Sequence, residues 1–186
     1  MYKRQDLETK EFLESISNVR LLRNEKSRGF AHSNNKAVVH ARGDWIIFMN
    51  NDLVLTKNWF IPFAESITGL LTDCPGVGCV GNVQIDPRTK RIDHAGVMFK
   101  EGFPSHYLLG EQRSSISKKV DFTEYLAVTG ACFLIRKNVF LNTGGFDEDY
   151  KTGFEDIDLC LRLRMLGYRH FVANKNVIFH KLSSTP

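Results

Sequence analysis

The sequence predicts a single α/β domain, and three observations support this fold class. A run of five apolar residues, Trp45 to Met49, is typical of a strand with both faces buried. A helical pattern precedes this run, and a shorter apolar segment, Asn18 to Leu22, precedes the helix. A strand, a helix and a second strand form a βαβ unit, whose two strands pair in parallel. A length of 186 residues, with 42% hydrophobic and 25% charged residues, suits one globular core.

Two helices are predicted around the first of these strands. Asp6 to Ile16 has helical composition. Phe30 to Ala41 carries an apolar stripe at helical spacing and ends before a glycine, a common helix terminator. Asn34 and Asn35 are unusual inside a helix, because asparagine competes for backbone hydrogen bonds. These two side chains either face water or, together with Asp52 after the next strand, line a ligand-binding crevice.

The middle of the chain predicts a helix, two strands and a loop. Asn58 to Leu71 has a helical pattern, capped by its first residue and stopped by a proline just beyond it. Val77 to Ile85 and Arg91 to Phe99 are strand-like runs joined by a proline turn. Lys100 to Asp121 is polar and predicts a long surface loop. We expect its His106 to be solvated rather than catalytic.

The last third of the chain predicts strands around one apolar helix. Glu124 to Ile135 is strongly apolar and is interrupted at Gly130, which marks a bulge, a close approach or a packing need. Ile157 to Leu166 is helical, and its Asp158 and Arg162 have the spacing of an exposed ion pair. Two short strands, 168–173 and 177–179, complete the prediction.

Charge and hydropathy narrow the possible partners. The net charge of +4 and the pI of about 8.9 weakly favour an anionic partner, such as a nucleotide or a membrane surface. We expect no nucleic-acid partner, because no basic stripe is interleaved with aromatic residues. No run approaches 18 apolar residues and no signal peptide opens the chain, so we expect a cytoplasmic location. Membrane association would be peripheral, at the inner face.

The four cysteines predict reduced core residues and not a disulfide or zinc framework. Cys74, Cys79, Cys132 and Cys160 show no C-x-x-C spacing, and the last two lie inside apolar segments. Buried free thiols are common in cytosolic proteins.

A polar triplet, Asn50-Asn51-Asp52, ends the first apolar strand. Ligands of open α/β sheets bind in the crevice outside the carboxyl ends of the strands. A carboxylate there could hold a divalent cation on a phosphate, because hard cations prefer oxygen ligands. The alternative is that the triplet is simply a polar loop after a core strand.

Two adjacent carboxylates, Glu155 and Asp156, begin the last helix. Negative charge at a helix N-terminus is favourable whatever the function. Thr152 and Glu155 also fit a capping box, which gives Glu155 a structural role and leaves Asp156 freer to act. We therefore favour Asp156 as a general base that is ionised at neutral pH, with Glu155 as the second choice.

His180 follows the last predicted strand directly. An imidazole and the carboxylate of Asp52 converging on one cation would suit Mn²⁺ or Mg²⁺, with phosphates supplying further oxygens. A lone histidine is more often structural, so this assignment depends on the rest of the pattern.

Five stretches occur together in a specific order: RGFAHSNNKAVVHARGDWIIFMNND, DHAGVMF, VTGACFLIRKNVFLNTGGFDEDY, FEDIDLCLRLRMLGY and VIFHKLSS. This ordered set resembles glycosyltransferase family 2, and most closely the bacterial members that build O-antigen, rhamnan and other surface polysaccharides. The resemblance covers most of residues 20–184. It implies the GT-A fold, a Rossmann-like mixed and mostly parallel sheet flanked by helices.

The resemblance also implies roles for individual residues. Asp52 and His180 would hold the divalent cation, and Asp156 or Glu155 would be the base. The donor-binding positions would be Gly29, Asn35, Asn51, Asp52, Gly130 and Ala131. The reaction implied is an inverting transfer from a nucleotide-sugar donor to a glycan or a lipid-linked saccharide. The base would deprotonate an acceptor hydroxyl, and the cation would neutralise the departing nucleoside diphosphate.

The sequence departs from the family pattern at its beginning. The family starts with a strand, a helix and a strand that ends in an acidic nucleotide-binding turn, and no such segment is present. We expect residues 1–5 to be a foreign lead-in, 6–72 the remainder of the nucleotide-binding part and 77–186 the acceptor and catalytic part. Ser27-Arg28 also replaces the usual asparagine and apolar residue. A truncated chain of this kind should bind donor poorly.

Two other functions compete with sugar transfer. The first is a non-catalytic module that binds nucleotide or carbohydrate. The second is a nucleotidyltransferase, which would also place metal carboxylates after an α/β strand. That class should carry a glycine-rich basic phosphate loop near its start, and none is found here.

Overall fold

A computed structural model describes residues 7–150 and 153–181. Its core is a mixed seven-stranded sheet with helices packed on both faces, accompanied by a separate two-stranded hairpin. The predicted α/β class is therefore confirmed. The predicted lead-in at 1–5, the predicted cap Thr152 and the residues after 181 lie outside the described part of the chain. The predicted capping box is wrong in register, because the last helix begins at Glu155 with Phe154 at its N-cap.

The described residues form five α-helices, a short 3-10 helix at Arg113–Ser115 and nine strands. The helices are α1 (Leu7–Ser15), α2 (Gly29–His40), α3 (Phe60–Asp73), α4 (Lys137–Asn142) and α5 (Glu155–Met165). The strands are β1 (Trp45–Met49), β2 (Leu53–Val54), β3 (Val77–Ile85), β4 (Ile92–His94), β5 (Val97–Lys100), β6 (Phe103–His106), β7 (Phe122–Tyr125), β8 (Cys132–Arg136) and β9 (Arg169–His180).

The sheet order is β1-β8-β3-β9-β2, with β4 on the edge of β3 and β7 on the edge of β9. Among the described strands only β3 and β9 pair in parallel, so the expectation of a mostly parallel sheet was wrong. The reason is that β8 runs between β1 and β3 in the opposite direction to both. β1, β3 and β9 nevertheless point the same way, so their carboxyl ends meet at one edge of the sheet.

The predicted βαβ unit is not formed, because residues 18–22 are not a strand. An extended segment becomes a strand only where another strand satisfies its backbone groups, and no described strand pairs with this one. Strand β1 was also expected to be fully buried. It pairs with β8 on one side only, and of its five residues only Phe48 is buried, while Met49 is 42% exposed.

The core has two apolar clusters, one on each face of the sheet. Every residue of β3 is buried, and its side chains contribute to both clusters. Helices α2, α4 and α5 cover one face, through side chains such as Val38, Phe140 and Leu163. Helix α3 covers the other face through Phe63 and Ile67. All four cysteines are free and buried, as the sequence predicted.

Several predicted boundaries differ from the structure because glycines and positive φ angles redirect the chain. The predicted strand at 91–99 is divided at Gly96, whose φ of +121° and contact with the Tyr125 ring leave no room for a side chain. The predicted loop at 100–121 contains β6, which pairs with β5 as a hairpin.

Asn58 has a φ of +57° and does not cap α3, which begins two residues later. The apolar run at 124–135 forms parts of β7 and β8 with an irregular segment between them, whereas β9 joins the two predicted final strands.

The expected pair of Asp158 and Arg162 is present at 2.8 Å, but it is half-buried and not fully exposed. Arg162 also donates to the backbone carbonyls of Thr143 and Gly145, so it fastens α5 to the loop after α4.

A cluster of phenylalanine rings anchors this same loop on the face of the sheet that α2, α4 and α5 cover. The rings of Phe30, Phe48, Phe133 and Phe140 lie 5.0–6.2 Å from the Phe146 ring, mostly in edge-to-face arrangements. Asn35 fixes the Phe146 backbone: its Nδ2 donates to the Phe146 carbonyl at 2.8 Å, and its Oδ1 accepts from the Phe146 N–H at 2.9 Å.

We expect Asn35→Ala to lower the free energy of unfolding by about 1–3 kcal/mol, because both backbone groups of Phe146 lose their partner. Urea unfolding followed by circular dichroism would measure the change. Asn34→Ala is the matched control, since its amide only contacts the Phe30 carbonyl within the same helix. Equal stability of the two variants would contradict this role for Asn35.

Candidate active site

A cleft of about 320 Å³ opens at the edge of the sheet where β1, β3 and β9 end. Strand ends, the segment before β8, the β6 hairpin and the start of α5 all contribute side chains to it. The lining residues are Phe30, Asn50, Val97, Pro104, His106, Thr129, Gly130, Ala131, Gly153, Phe154, Glu155, Asp156, Ile157 and His180.

His180 is held between two carboxylates at the last residue of β9. Its Nδ1 donates to Oδ2 of Asp93 at 2.6 Å, and its Nε2 lies 3.3 Å from Oδ1 of Asp52. The hydrogen bond to Asp93 is the main cause that raises the pKa of His180, and burial opposes it. Because Asp93 keeps a proton on Nδ1, loss of the second ring proton would leave the Nε2 lone pair directed toward Asp52.

Asp52 is positioned by the pairing of β2 with β9. Leu53 lies opposite His180 in this pair, and the Lys181 N–H donates to the Asp52 carbonyl at 3.0 Å. Oδ1 of Asp52 is buried and accepts no hydrogen bond of proper geometry from the described residues, although His180 lies close by. A buried carboxylate oxygen with no donor, beside an imidazole nitrogen, is a donor set that fits a divalent cation.

Asp156 lies in the first turn of α5 and points toward the segment before β8. Its Oδ2 accepts from the Gly130 N–H at 2.5 Å, and its Oδ1 accepts from the Ile157 N–H at 2.8 Å. Burial raises the pKa of Asp156 above its usual value, while these backbone hydrogen bonds and the charge of His106 lower it. Because its pKa is raised, the ionised carboxyl is a stronger base than a solvated aspartate.

Glu155 lines the same cleft, and burial raises its pKa as well, with a smaller contribution from the charge of Asp156. The residue before it, Phe154, has a left-handed backbone with φ of 73° and makes no side-chain cap. The turn exposes the Phe154 ring at the cleft mouth. Both predicted carboxylates thus lie at the cleft, and the choice between them rests on the contacts of Asp156.

Gly130 and Ala131, two of the predicted donor-binding residues, line the cleft. A Cβ on Gly130 would lie 3.2 Å from both Cβ and Oδ2 of Asp156, so a side chain there would force this carboxyl to shift by a few tenths of an ångström. The Ala131 carbonyl accepts from the Asn50 N–H at 2.8 Å, which joins this segment to the end of β1.

Four of the six predicted donor-binding residues, Gly29, Asn35, Asn51 and Asp52, are not among those that line the cleft. Gly29 begins α2 with a φ of +87°, Asn51 is exposed in the turn after β1, and the Asn35 amide is used by the Phe146 backbone. Their roles in donor binding stay predictions. The structure does bring Asp156 and His180 to one cleft, with Asp52 next to His180.

Sequence reasoning did not single out Asp93, His94, His106 or Asn50 as site residues. Asp93 and His94 lie in the stretch DHAGVMF, whose polar pair before an apolar run was the available signal. His106 was expected to be solvated, but it is half-buried and lines the cleft. The β5–β6 hairpin brings it there, and no local pattern indicated that hairpin.

A second group of potential metal ligands, Cys79, Cys160 and His170, is fully buried behind α5. Both nitrogens of His170 are already used: Nδ1 accepts from the Cys79 N–H at 3.0 Å, and Nε2 donates to the Cys160 carbonyl at 2.9 Å. Burial lowers the pKa of His170 to about 4 and raises the pKa of the Cys79 thiol. Because both nitrogens of His170 already bond to the backbone, we interpret this buried group as a structural cluster and not as a metal site.

Comparison with known proteins agrees with this geometry. A family model described as glycosyl transferase family 2 matches residues 6–144, which is more than half of the chain. The chain belongs to glycosyltransferase family 2.

Relatives of this family 2 chain include much longer bacterial proteins. It is 34% identical over 173 residues to an uncharacterized protein of Sinorhizobium fredii, covering 90% of this chain and 18% of that protein. It is 32% identical over 158 residues to an O-antigen biosynthesis protein of Myxococcus xanthus, covering 82% of this chain and 12% of the relative. It is 41% identical over 59 residues to an N-acetylglucosaminyl-diphospho-decaprenol L-rhamnosyltransferase of Mycobacterium tuberculosis, and this match covers 31% of this chain and 19% of the relative. The chain thus spans less than a fifth of each of these proteins.

Two solved structures share the fold. GalNAc-T7, solved with UDP, GalNAc and Mn²⁺, superposes with a TM-score of 0.70 at 15% identity, over 94% of this chain and 35% of that one. A mannosyltransferase of Pyrobaculum calidifontis, solved with GDP-Man and Mn²⁺, gives 0.58 at 19% identity, over 89% and 40%. These likenesses confirm the GT-A fold of this family 2 chain. In its described residues, no helix has both the length and the apolarity needed to cross a membrane.

In this family 2 chain we expect Gly130→Ala to lower the free energy of unfolding by about 1–3 kcal/mol, because the new methyl group displaces the Asp156 carboxyl. Thermal and urea unfolding would measure it. Gly69→Ala in α3 is the control, since a Cβ there meets no atom within 4 Å. Replacing a helical glycine in open space should stabilise by about 0.5–1 kcal/mol. A Gly130 variant as stable as the wild type would rule out the close contact.

Proposed function

We propose that this chain forms the catalytic part of an enzyme that transfers a sugar from a nucleotide-sugar donor to a saccharide acceptor, with inversion at the anomeric carbon. The observation that carries this proposal is the arrangement of Asp52, His180 and Asp156. These residues are far apart in sequence, yet the first two lie 3.3 Å apart and His180 lines one cleft with Asp156. Membership of glycosyltransferase family 2 and the Mn²⁺ in both solved neighbours agree with this use of the cleft.

Asp52 and His180 would hold the divalent cation, Mn²⁺ or Mg²⁺. The unpartnered Oδ1 of Asp52 and the Nε2 of His180 face each other, and Asp93 fixes the imidazole tautomer that leaves Nε2 able to bind a metal. A bound cation would neutralise the charge that builds on the departing diphosphate. The donor phosphates would supply its remaining oxygen ligands.

Asp156 would act as the general base. Its carboxylate takes the proton from an acceptor hydroxyl, and the oxygen then attacks the anomeric carbon of the donor sugar. The new glycosidic bond forms as the bond from the anomeric carbon to the diphosphate oxygen breaks, and that electron pair leaves with the nucleoside diphosphate. The two backbone N–H groups that contact Asp156 hold the carboxylate in place throughout. Burial makes the carboxylate a better proton acceptor, since it raises the pKa of Asp156.

The acceptor class we propose is a glycan or a lipid-linked saccharide. One relative is named for transfer of rhamnose to N-acetylglucosaminyl-diphospho-decaprenol, and another for O-antigen biosynthesis. The exposed ring of Phe154 at the cleft mouth gives an apolar surface on which a sugar ring can stack. A lipid-linked acceptor would bring the protein to the inner face of the cell membrane as a peripheral protein.

The alternative is a non-catalytic module that binds nucleotide or saccharide. It is favoured by one observation, that Gly29, Asn35 and Asn51 do not line the cleft. The two functions differ in turnover, because a binding module has none to lose.

We expect Asp156→Asn to reduce turnover by at least about 100-fold while leaving donor binding unchanged, because the amide cannot accept the hydroxyl proton. Release of UDP, GDP or dTDP from the matching sugar nucleotides, with a polyprenyl-diphosphate-linked N-acetylglucosamine as acceptor, would measure turnover. Isothermal titration with the same nucleotides and Mn²⁺ would measure binding. Glu155→Gln is the matched control and should keep much more of the activity.

The pH profile gives a second readout of this base. Burial raises the pKa of Asp156, so turnover should fall as the pH drops through a value above that of an ordinary aspartate. A larger loss in Glu155→Gln than in Asp156→Asn would assign the base to Glu155. Donor binding without turnover in the wild-type chain would favour the binding module.

We expect Asp93→Asn to weaken Mn²⁺ binding about 10-fold to 100-fold, because His180 loses the carboxylate that fixes its tautomer. Electron paramagnetic resonance of Mn²⁺ in the presence of UDP would measure the affinity. Asp86→Asn is the matched control, since this buried aspartate contacts Arg88 and not His180. Unchanged Mn²⁺ affinity in both Asp93→Asn and Asp52→Asn would refute this cation site.

A further inference from the structure

A second imidazole, that of His106, faces the proposed reaction centre. His106 is the last residue of β6, is half-buried and lines the same cleft as His180 and Asp156. A protonated His106 would help to lower the pKa of Asp156, so the ring lies within electrostatic reach of the proposed base. Neither the cation site nor the proton transfer described above uses it.

The tautomer of His106 is set by the residues behind it. Its Nδ1 lies 3.0 Å from the Asp93 carbonyl and 3.2 Å from Nδ1 of His94. A carbonyl oxygen can only accept, so Nδ1 of His106 carries the hydrogen. His94 is fully buried, and burial holds its pKa well below the usual value, so it is neutral and its Nδ1 can accept the same hydrogen.

The Nε2 of His106 is therefore a free hydrogen-bond acceptor. Within the described residues this Nε2 makes no hydrogen bond, and it is accessible to solvent rather than buried. The same dipeptide, Asp93-His94, thus orients two cleft imidazoles. The Asp93 carboxylate leaves Nε2 of His180 free beside Asp52, and the Asp93 carbonyl leaves Nε2 of His106 free.

We propose that His106 binds the acceptor saccharide, with its Nε2 accepting a hydrogen bond from an acceptor hydroxyl and orienting the sugar toward Asp156. This inference rests on the proposed function, because it assigns the acceptor side of the same cleft. His180 then serves the donor side and His106 the acceptor side. An unprotonated Nε2 suits this task, since a sugar hydroxyl can donate to it and still present its own oxygen for attack.

Two substitutions separate this role from a purely structural one. His106→Asn keeps an amide N–H where Nδ1 contacts the Asp93 carbonyl but removes the atom that faces the cleft. His106→Gln places an amide near the position of Nε2 but gives up the contact with Asp93. We expect the KM for polyprenyl-diphosphate-linked N-acetylglucosamine to rise about threefold to tenfold in His106→Asn, with the donor KM unchanged. His106→Gln should recover part of the acceptor affinity.

A structural role predicts the opposite order, with His106→Asn like the wild type and His106→Gln impaired in stability. That order, or equal changes in donor and acceptor KM, would overturn the proposal. The ring nitrogens give an independent test: long-range ¹H–¹⁵N spectra of the wild-type chain should show His106 with its hydrogen on Nδ1. Adding methyl β-N-acetylglucosaminide or methyl α-L-rhamnoside should shift its Nε2 resonance.

The spectra also distinguish the two proposals. A shift of His106 Nε2 without any turnover in the wild-type chain would support saccharide binding and refute the proposed transfer. Turnover that depends on Asp156, with no Nε2 shift and an unchanged acceptor KM in His106→Asn, would refute only the role of His106.

Discussion

The parallel pairing of β3 with β9 is the interaction on which the rest of the structure depends. β3 is buried along its whole length, and β9 extends over 12 residues beside it and also pairs with β7 and β2. Because β1 points in the same direction, the carboxyl ends of three strands meet at one edge. His180 ends β9 at this edge, and the β2 contact brings Asp52 to it. Burial of apolar surface on both faces of β3 thus supplies the stability, and the strand directions supply the location of the cleft.

The cleft combines acids and imidazoles whose environments change their proton affinities for different physical reasons. A carboxylate partner raises the pKa of His180, burial raises the pKa of Asp156, and burial lowers the pKa of His94. These environments suit the proposed roles, in which His180 binds the cation, Asp156 takes a proton and His94 stays neutral behind them. Separating roles by environment in this way is common where a site must run acid–base chemistry at neutral pH.

Sequence reasoning located the candidate site residues better than it predicted the pairing of the sheet. Asp52, Asp156 and His180 follow or precede strongly apolar segments, so their place at element ends could be predicted from local pattern. Strand direction could not, because it depends on which distant segment lies alongside, and β8 lies between β1 and β3. His106 was missed for the same reason: a polar segment became a hairpin by pairing with β5. Asn35 was identified as unusual, but its contact with Phe146 depends on residues 111 positions away.

His170 connects the two halves of the cleft from behind. His170 lies in β9. Its Nδ1 accepts from the Cys79 N–H of β3, and its Nε2 donates to the Cys160 carbonyl in the middle of α5. The helix that carries Asp156 and the strand that ends in His180 are therefore fastened to each other and to the sheet through one buried ring. The proposed base and the proposed cation ligands lie on separate elements, and the hydrogen bonds of one buried histidine fix the spacing between those elements. The geometry of the cleft is in this sense a property of the core, because neither His170 nor Cys160 lines the cleft and both are buried.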